Sequence, residues 1–184
     1  MRLLTLGAAS LVFAAPLTAA PPTALAQQNS VAADPCARYQ WDVTRERALF
    51  AAAPSPVAAA KDGRSPPRIE TDRAYRVQLA PAGQVAFPTP PGKPSVPEGN
   101  YSGLLALTVP VSGSYRVAVD QPMWIDVVAD AHLVPATDYE GQHGCEAPRK
   151  IVQFALDAKK PLMVQLSGSS EAAVRITIVR ASGD

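Results

Sequence analysis

From Gly113 to Arg180 the chain repeats one pattern: short runs of alternating apolar and polar side chains, each closed by a turn. Tyr115, Val117 and Val119 alternate with Arg116, Ala118 and Asp120. Trp124–Ala129 sets Ile125 and Val127 against Trp124, Asp126 and Val128. Lys150–Leu156 aligns Val152, Phe154 and Leu156, and Leu162–Leu166 aligns Leu162, Val164 and Leu166. In Ala172–Arg180, Val174, Ile176 and Ile178 oppose Arg175, Thr177 and Val179. Successive side chains of a strand point to opposite faces, so each run has one face to bury. Together with the apolar run Gly103–Val109 and a brief Leu133-Val134, these runs predict an all-β fold. Its expected form is an antiparallel, jelly-roll-like β-sandwich. No fixed-period repeat is present, which excludes a propeller or solenoid.

Upstream, ten prolines fall between Pro54 and Pro97. Proline lacks the N–H that a central strand must donate, so segment 54–97 reads as a proline-rich loop region. Tyr75–Leu79 and Val85–Phe87 are expected as short edge strands around the turn Pro81-Ala82-Gly83, and Pro88–Pro97 as an extended loop. Before the prolines, a short N-terminal helix is expected over about residues 42–53. Thr44 would be its N-cap, and Arg45, Ala48, Leu49 and Ala52 would form the stripe that docks on the sheet. Trp41 and Phe50 are expected as packing anchors.

The chain opens with Arg2, an apolar stretch over Leu3–Ala15, and Ala24-Leu25-Ala26 before Gln27. That order is the pattern of a signal peptide, residues 1–26, with a flexible leader over 27–35 and a single sandwich domain over 36–184. Pro16, Pro21 and Pro22 interrupt the run before the roughly 20 apolar residues that a membrane span needs. The expected location is periplasmic or secreted. Lys and Arg number 17 against 16 Asp and Glu, and Arg2 would leave with the signal peptide. A balanced chain has no long-range field for nucleic acid, and no later segment is apolar enough to span a bilayer. In an oxidising compartment the two cysteines, Cys36 and Cys145, most simply form one disulfide, the alternative being a reactive or metal-binding thiol.

Catalytic motifs are absent: no phosphate-binding loop, dinucleotide fingerprint, nucleophile elbow or zinc-protease signature. Ser114 or Ser167 with His143 and Asp126 supplies the residue types of a serine triad, but no spacing supports one. His132 and His143 with Glu140, near Asp138, supply the two imidazoles and a carboxylate of a non-haem iron site. The plainer reading makes them solvent-exposed or capping histidines beside the disulfide. Trp124, Tyr101 and Tyr139 form a candidate aromatic binding patch, with Trp124 as an inter-sheet plug the alternative.

The stretches GSYRVAVDQPMWIDVV (Gly113–Val128), GQHGC (Gly141–Cys145), RKIVQFAL (Arg149–Leu156) and LMVQLSG (Leu162–Gly168) resemble a group of small exported proteobacterial proteins of unknown function. Members of that group are often labelled homogentisate 1,2-dioxygenase by automatic transfer. The label implies an Fe2+ cofactor, for which this chain would have to use His132, His143 and Glu140. The residues themselves point first to a non-catalytic exported sandwich that binds an envelope protein or glycan.

Overall fold

The computed structural model describes residues 33–93 and 97–181. The expected signal peptide and most of the leader lie outside the described residues. The alternating runs form strands, and their apolar faces meet between two sheets. The strands are β1 (Ser55–Ala58), β2 (Arg68–Glu70), β3 (Ala74–Gln78), β4 (Ala80–Pro81), β5 (Tyr101–Thr108) and β6 (Gly113–Val119). They continue as β7 (Trp124–Ala129), β8 (His132–Val134), β9 (Ala136–Gly141), β10 (Lys150–Leu156), β11 (Leu162–Ser169) and β12 (Ala173–Arg180). One sheet runs β1-β3-β12-β6-β10-β9; the other runs β2-β5-β11-β7-β8, with β4 beside β5. Val117, Phe154 and Ile176 from the first meet Leu105, Val127 and Val164 from the second in a shared core. The all-β sandwich expected from the alternation is the fold.

Three expectations need correction. The sheets are mixed: β1 pairs with β3, and β2 with β5, in parallel. Both β1 and β2 are edge strands from the proline-rich region, and the edge position accommodates Pro56 in β1. Val85–Phe87 forms no strand and instead follows a 3-10 turn over Ala82–Gln84. The segment from Asp138, expected as loop, begins inside β9, an edge strand antiparallel to β10.

The helix is α1 (Thr44–Ala51), shorter than residues 42–53. Thr44 is its first helical residue rather than its N-cap, and its N–H donates to Asp42 Oδ1 at 2.9 Å. The buried side chains are Glu46 and Phe50, while Arg45, Ala48 and Ala52 stay exposed and Leu49 is half-buried. The expected stripe followed hydrophobicity alone. The surface that receives α1 carries arginines, so a carboxylate and an aromatic ring face inward instead. Arg116 stands 4.9 Å from the Trp41 ring and 3.7 Å from Glu46, and it donates to the Asp42 carbonyl at 3.1 Å. Arg175 sits 5.4 Å from the Phe50 ring and donates to the Phe50 carbonyl at 2.7 Å.

These contacts put the N-terminal segment on the outer face of the first sheet, where it forms a second core. Tyr39, Trp41, Val43 and Phe50 pack there with Ala118, Ile151 and the cysteine pair. Cys36 and Cys145 are joined in a disulfide that closes a sequence separation of 109 residues. Trp41 and Phe50 are packing anchors, as expected, at 7% and 3% exposure. No helix among the described residues is long and apolar enough to cross a membrane.

Candidate functional site: a two-lobed cleft at the seam of the sheets

Strand β8 pairs with β7 only at Val127, Val128 and Ala129. Trp124, Ile125 and Asp126, at the start of β7, therefore have no β8 partner. After β8 the chain crosses through Pro135 from the edge of one sheet to β9 at the edge of the other. The seam stays open there. A cleft of about 320 Å3 occupies it, with Ile125, Val134, Val152 and Phe154 as an apolar wall and Trp124 and Tyr139 as aromatic members.

Trp124 is 37% and Tyr139 70% exposed; with Val111 they are the exposed large hydrophobic residues among the described residues. Two of these three therefore border one cavity, which is where apolar surface without an internal partner carries information. Trp124 is not the inter-sheet plug: its face of β7 points away from the core, and its indole Nε1 donates to Asp126 Oδ1 at 2.9 Å. Tyr101 is half-buried beside the core at β5, away from this cleft. The candidate aromatic patch is thus a pair rather than a triplet.

Lys150 continues the inward face of β10 beyond Val152, so its stem lies along the core and its ammonium reaches the seam. Its Nζ lies 5.0 Å from the Trp124 ring centroid and donates to the Met123 carbonyl at 2.9 Å. On the other side of this pair is a second cavity of about 360 Å3, bordered by Lys93, Asn100, Ser167 and Gly168 as well as by Trp124 and Lys150. The proline-rich chain forms part of its wall. Gly92 N donates to Asp126 Oδ2 at 3.1 Å, and a Cβ on Gly92 would stand 3.0 Å from Asp126 Oδ1 and 3.3 Å from the indole nitrogen. Glycine permits that close approach.

The electrostatics follow from burial. Desolvation pushes the Asp126 carboxyl up from its ordinary range, and the Gly92 and Trp124 hydrogen bonds oppose the shift. Desolvation pulls the Lys150 ammonium down, neighbouring Lys93 adds repulsion, and Asp126 counters. Ser167 is 1% exposed, and its Oγ has no hydrogen-bond partner among the described residues. One side of the pair is thus apolar, and the other presents two ammonium groups and a buried hydroxyl.

The remaining candidates are scattered. His132 opens β8, and its Nδ1 lies 2.7 Å from the Asp130 carbonyl. His143 lies in the loop before Cys145, 2.9 Å from Arg149 Nη2. Glu140, on β9, accepts from Gln40 N at 2.9 Å and also bonds Gln142 Nε2, and Asp138 accepts from Gln40 Nε2 at 3.2 Å. Among the described residues no group of three or more His, Cys, Asp or Glu is placed to hold a metal ion, so these side chains do not fit an Fe2+ site. No hydrogen bond among the described residues joins Ser114 or Ser167 to a histidine: Ser114 belongs to β6 and Ser167 to β11 of the opposite sheet.

Lys150 escaped the sequence reading because it begins a strand beside Arg149, where a charged pair reads as a solvated turn. Its parity with Val152 and Phe154 was the available signal. Comparison of the chain with protein-family models, with curated proteins and with solved structures yields no match.

Proposed function

We propose that the chain is a non-catalytic exported β-sandwich that binds a component of the cell envelope, a glycan or a protein partner, at the Trp124–Tyr139 cleft. The supporting observation is the placement of Trp124 and Tyr139 on one cavity whose wall includes core residues of both sheets, at the seam where β8 stops short. A concave apolar site with few polar groups is the usual form of a small-ligand site, and this cleft lies at the small end of the range of about 300–1,000 Å3. The disulfide supports export, because such a bond persists in an oxidising compartment. The leader pattern supports a mature N-terminus at Gln27 and a periplasmic or secreted location. Likeness to the group of small exported proteins is part of the same proposal. The donors that an iron dioxygenase would need, His132, His143 and Glu140, stand on separate elements with other partners.

The test is an array of immobilised envelope glycans and peptides probed with the wild type and with Trp124→Ala and Tyr139→Ala. Binding that falls about tenfold or more in both variants supports the cleft. Binding that both variants retain in full places the ligand elsewhere. Edman sequencing of the exported protein, with thiol titration, checks the rest: Gln27 at the N-terminus and no free thiol are expected.

A further inference from the structure

Resting on the reading of this cleft as the binding site, we infer that its two cavities form one site for an amphipathic monoanion. The apolar body of the ligand would lie against Ile125, Val134, Val152 and Phe154. Its anionic group would lie beyond Trp124, between Lys150 and Lys93 and within reach of Ser167 Oγ.

The argument is one of complementarity. The apolar side offers a ligand few hydrogen-bonding partners: Asp126 is its one acid, each oxygen already accepts a bond, from Trp124 Nε1 and from Gly92 N, and Tyr139 and Lys150 supply the other polar side-chain groups. Within an envelope glycan or protein this side therefore favours an apolar portion, such as an acyl chain or an aryl side chain, over a bare sugar ring, whose fully buried hydroxyls would stay unpaired. A hydrocarbon or aryl group loses nothing by entering. Across the Trp124–Lys150 pair the inventory reverses. Lys150 spends one of its three donors on the Met123 carbonyl, and Lys93 is near enough to disfavour its charge. Ser167 borders this cavity, and its Oγ is buried without a hydrogen-bond partner among the described residues. An anion relieves the lysine–lysine repulsion and accepts from the orphaned hydroxyl, and charge-assisted bonds of this kind are the strong ones. A neutral or cationic amphiphile does neither.

The test uses the mature full-length protein with octanoate, octanol and octylammonium, read by calorimetry and by Trp124 fluorescence, with Trp124→Phe identifying the signal. Octanoate is expected to bind at least about tenfold more tightly than either congener. Lys150→Met should remove that preference, Lys150→Arg should keep it, and Ser167→Ala should weaken octanoate a few-fold. Lys93→Met, at an exposed position, gives a second reading should Lys150→Met fail to fold. Equal binding of octanoate and octanol, lost in Trp124→Ala, would overturn the anion assignment and leave the cleft standing as a binding site. Failure of all three probes to bind would overturn the anion assignment alone, the role of the cleft being decided by the glycan and peptide array.

Discussion

On the outer face of the first sheet, Arg116, Ala118, Thr177 and Val179 lie buried under the N-terminal segment; on that of the second, Asp126, Gln165 and Ser167 lie buried beside the proline-rich chain. The first cover is bound by a disulfide, by an apolar cluster and by Arg116 and Arg175. Tyr39 adds a bond from its hydroxyl to the Pro148 carbonyl at 3.1 Å, and burial raises that phenol to about 12. The second cover is held by single polar handles: Gly92 N to Asp126, Gln165 Nε2 to the Thr89 carbonyl at 3.0 Å, and Thr89 Oγ1 to the Ala131 carbonyl at 3.1 Å. The N-terminal segment brings a cluster of buried aromatic side chains and a covalent anchor, whereas a proline-rich strip has few N–H groups and must be caught by side chains. The first arrangement seals its sheet. The second leaves cavities at its margin, and the candidate site borders them.

The largest expected effect strikes the sealed side. Replacing Cys36 and Cys145 by serine should cost about 4–5 kcal/mol in urea denaturation, the chain-entropy value for a loop of roughly 100 residues. Native-state hydrogen exchange should show α1 losing protection before β7 and β11; equal loss everywhere would mean that the two covers do not differ as described. Next, Arg116→Met should cost about 3–5 kcal/mol by leaving Glu46 buried without its counter-charge. Adding Glu46→Gln should recover much of that loss, and a thermodynamic cycle of the two variants measures the coupling. On the open side, Asp126→Ala removes the acceptor of two hydrogen bonds and should cost about 1–3 kcal/mol. Its signature should be local, in Trp124 fluorescence and in exchange at Gly92, with α1 unaffected.

The smallest effect is a slope with pH. Glu46 Oε1 has no hydrogen bond, and its 3.7 Å separation from Arg116 does not offset desolvation, so its carboxyl titrates above its usual 4.5. The folded state then binds more protons than the unfolded chain between 4.5 and that raised value. The contribution of Glu46 to stability is full below 4.5 and is lost as pH rises through the window. Wild-type stability measured relative to Glu46→Gln should therefore decline with increasing pH. A rise instead would show that the Arg116 pair dominates burial.

The inward rows of β6, β7, β10, β11 and β12 were legible because a two-residue period survives any tertiary arrangement that buries one face. Ala136–Gly141 was not legible, because an edge strand over an open seam carries no apolar row: Tyr139 shares its register position with Val152 yet stays exposed. Burial of Glu46 in place of Ala48 or Leu49 was equally hidden, since it depends on Arg116 in a strand 70 residues later in the chain.

By itself the sequence determined which side chains face the sandwich core and that its two cysteines would pair if exported, because alternation is local chemistry and the pairing is simple counting. The tertiary structure alone decided where β8 ends relative to β9 and β10. That offset sets Trp124 and Lys150 between two neighbouring cavities, with Tyr139 on one and Ser167 on the other, and it arises from how two sheets stagger, a property that no single strand encodes.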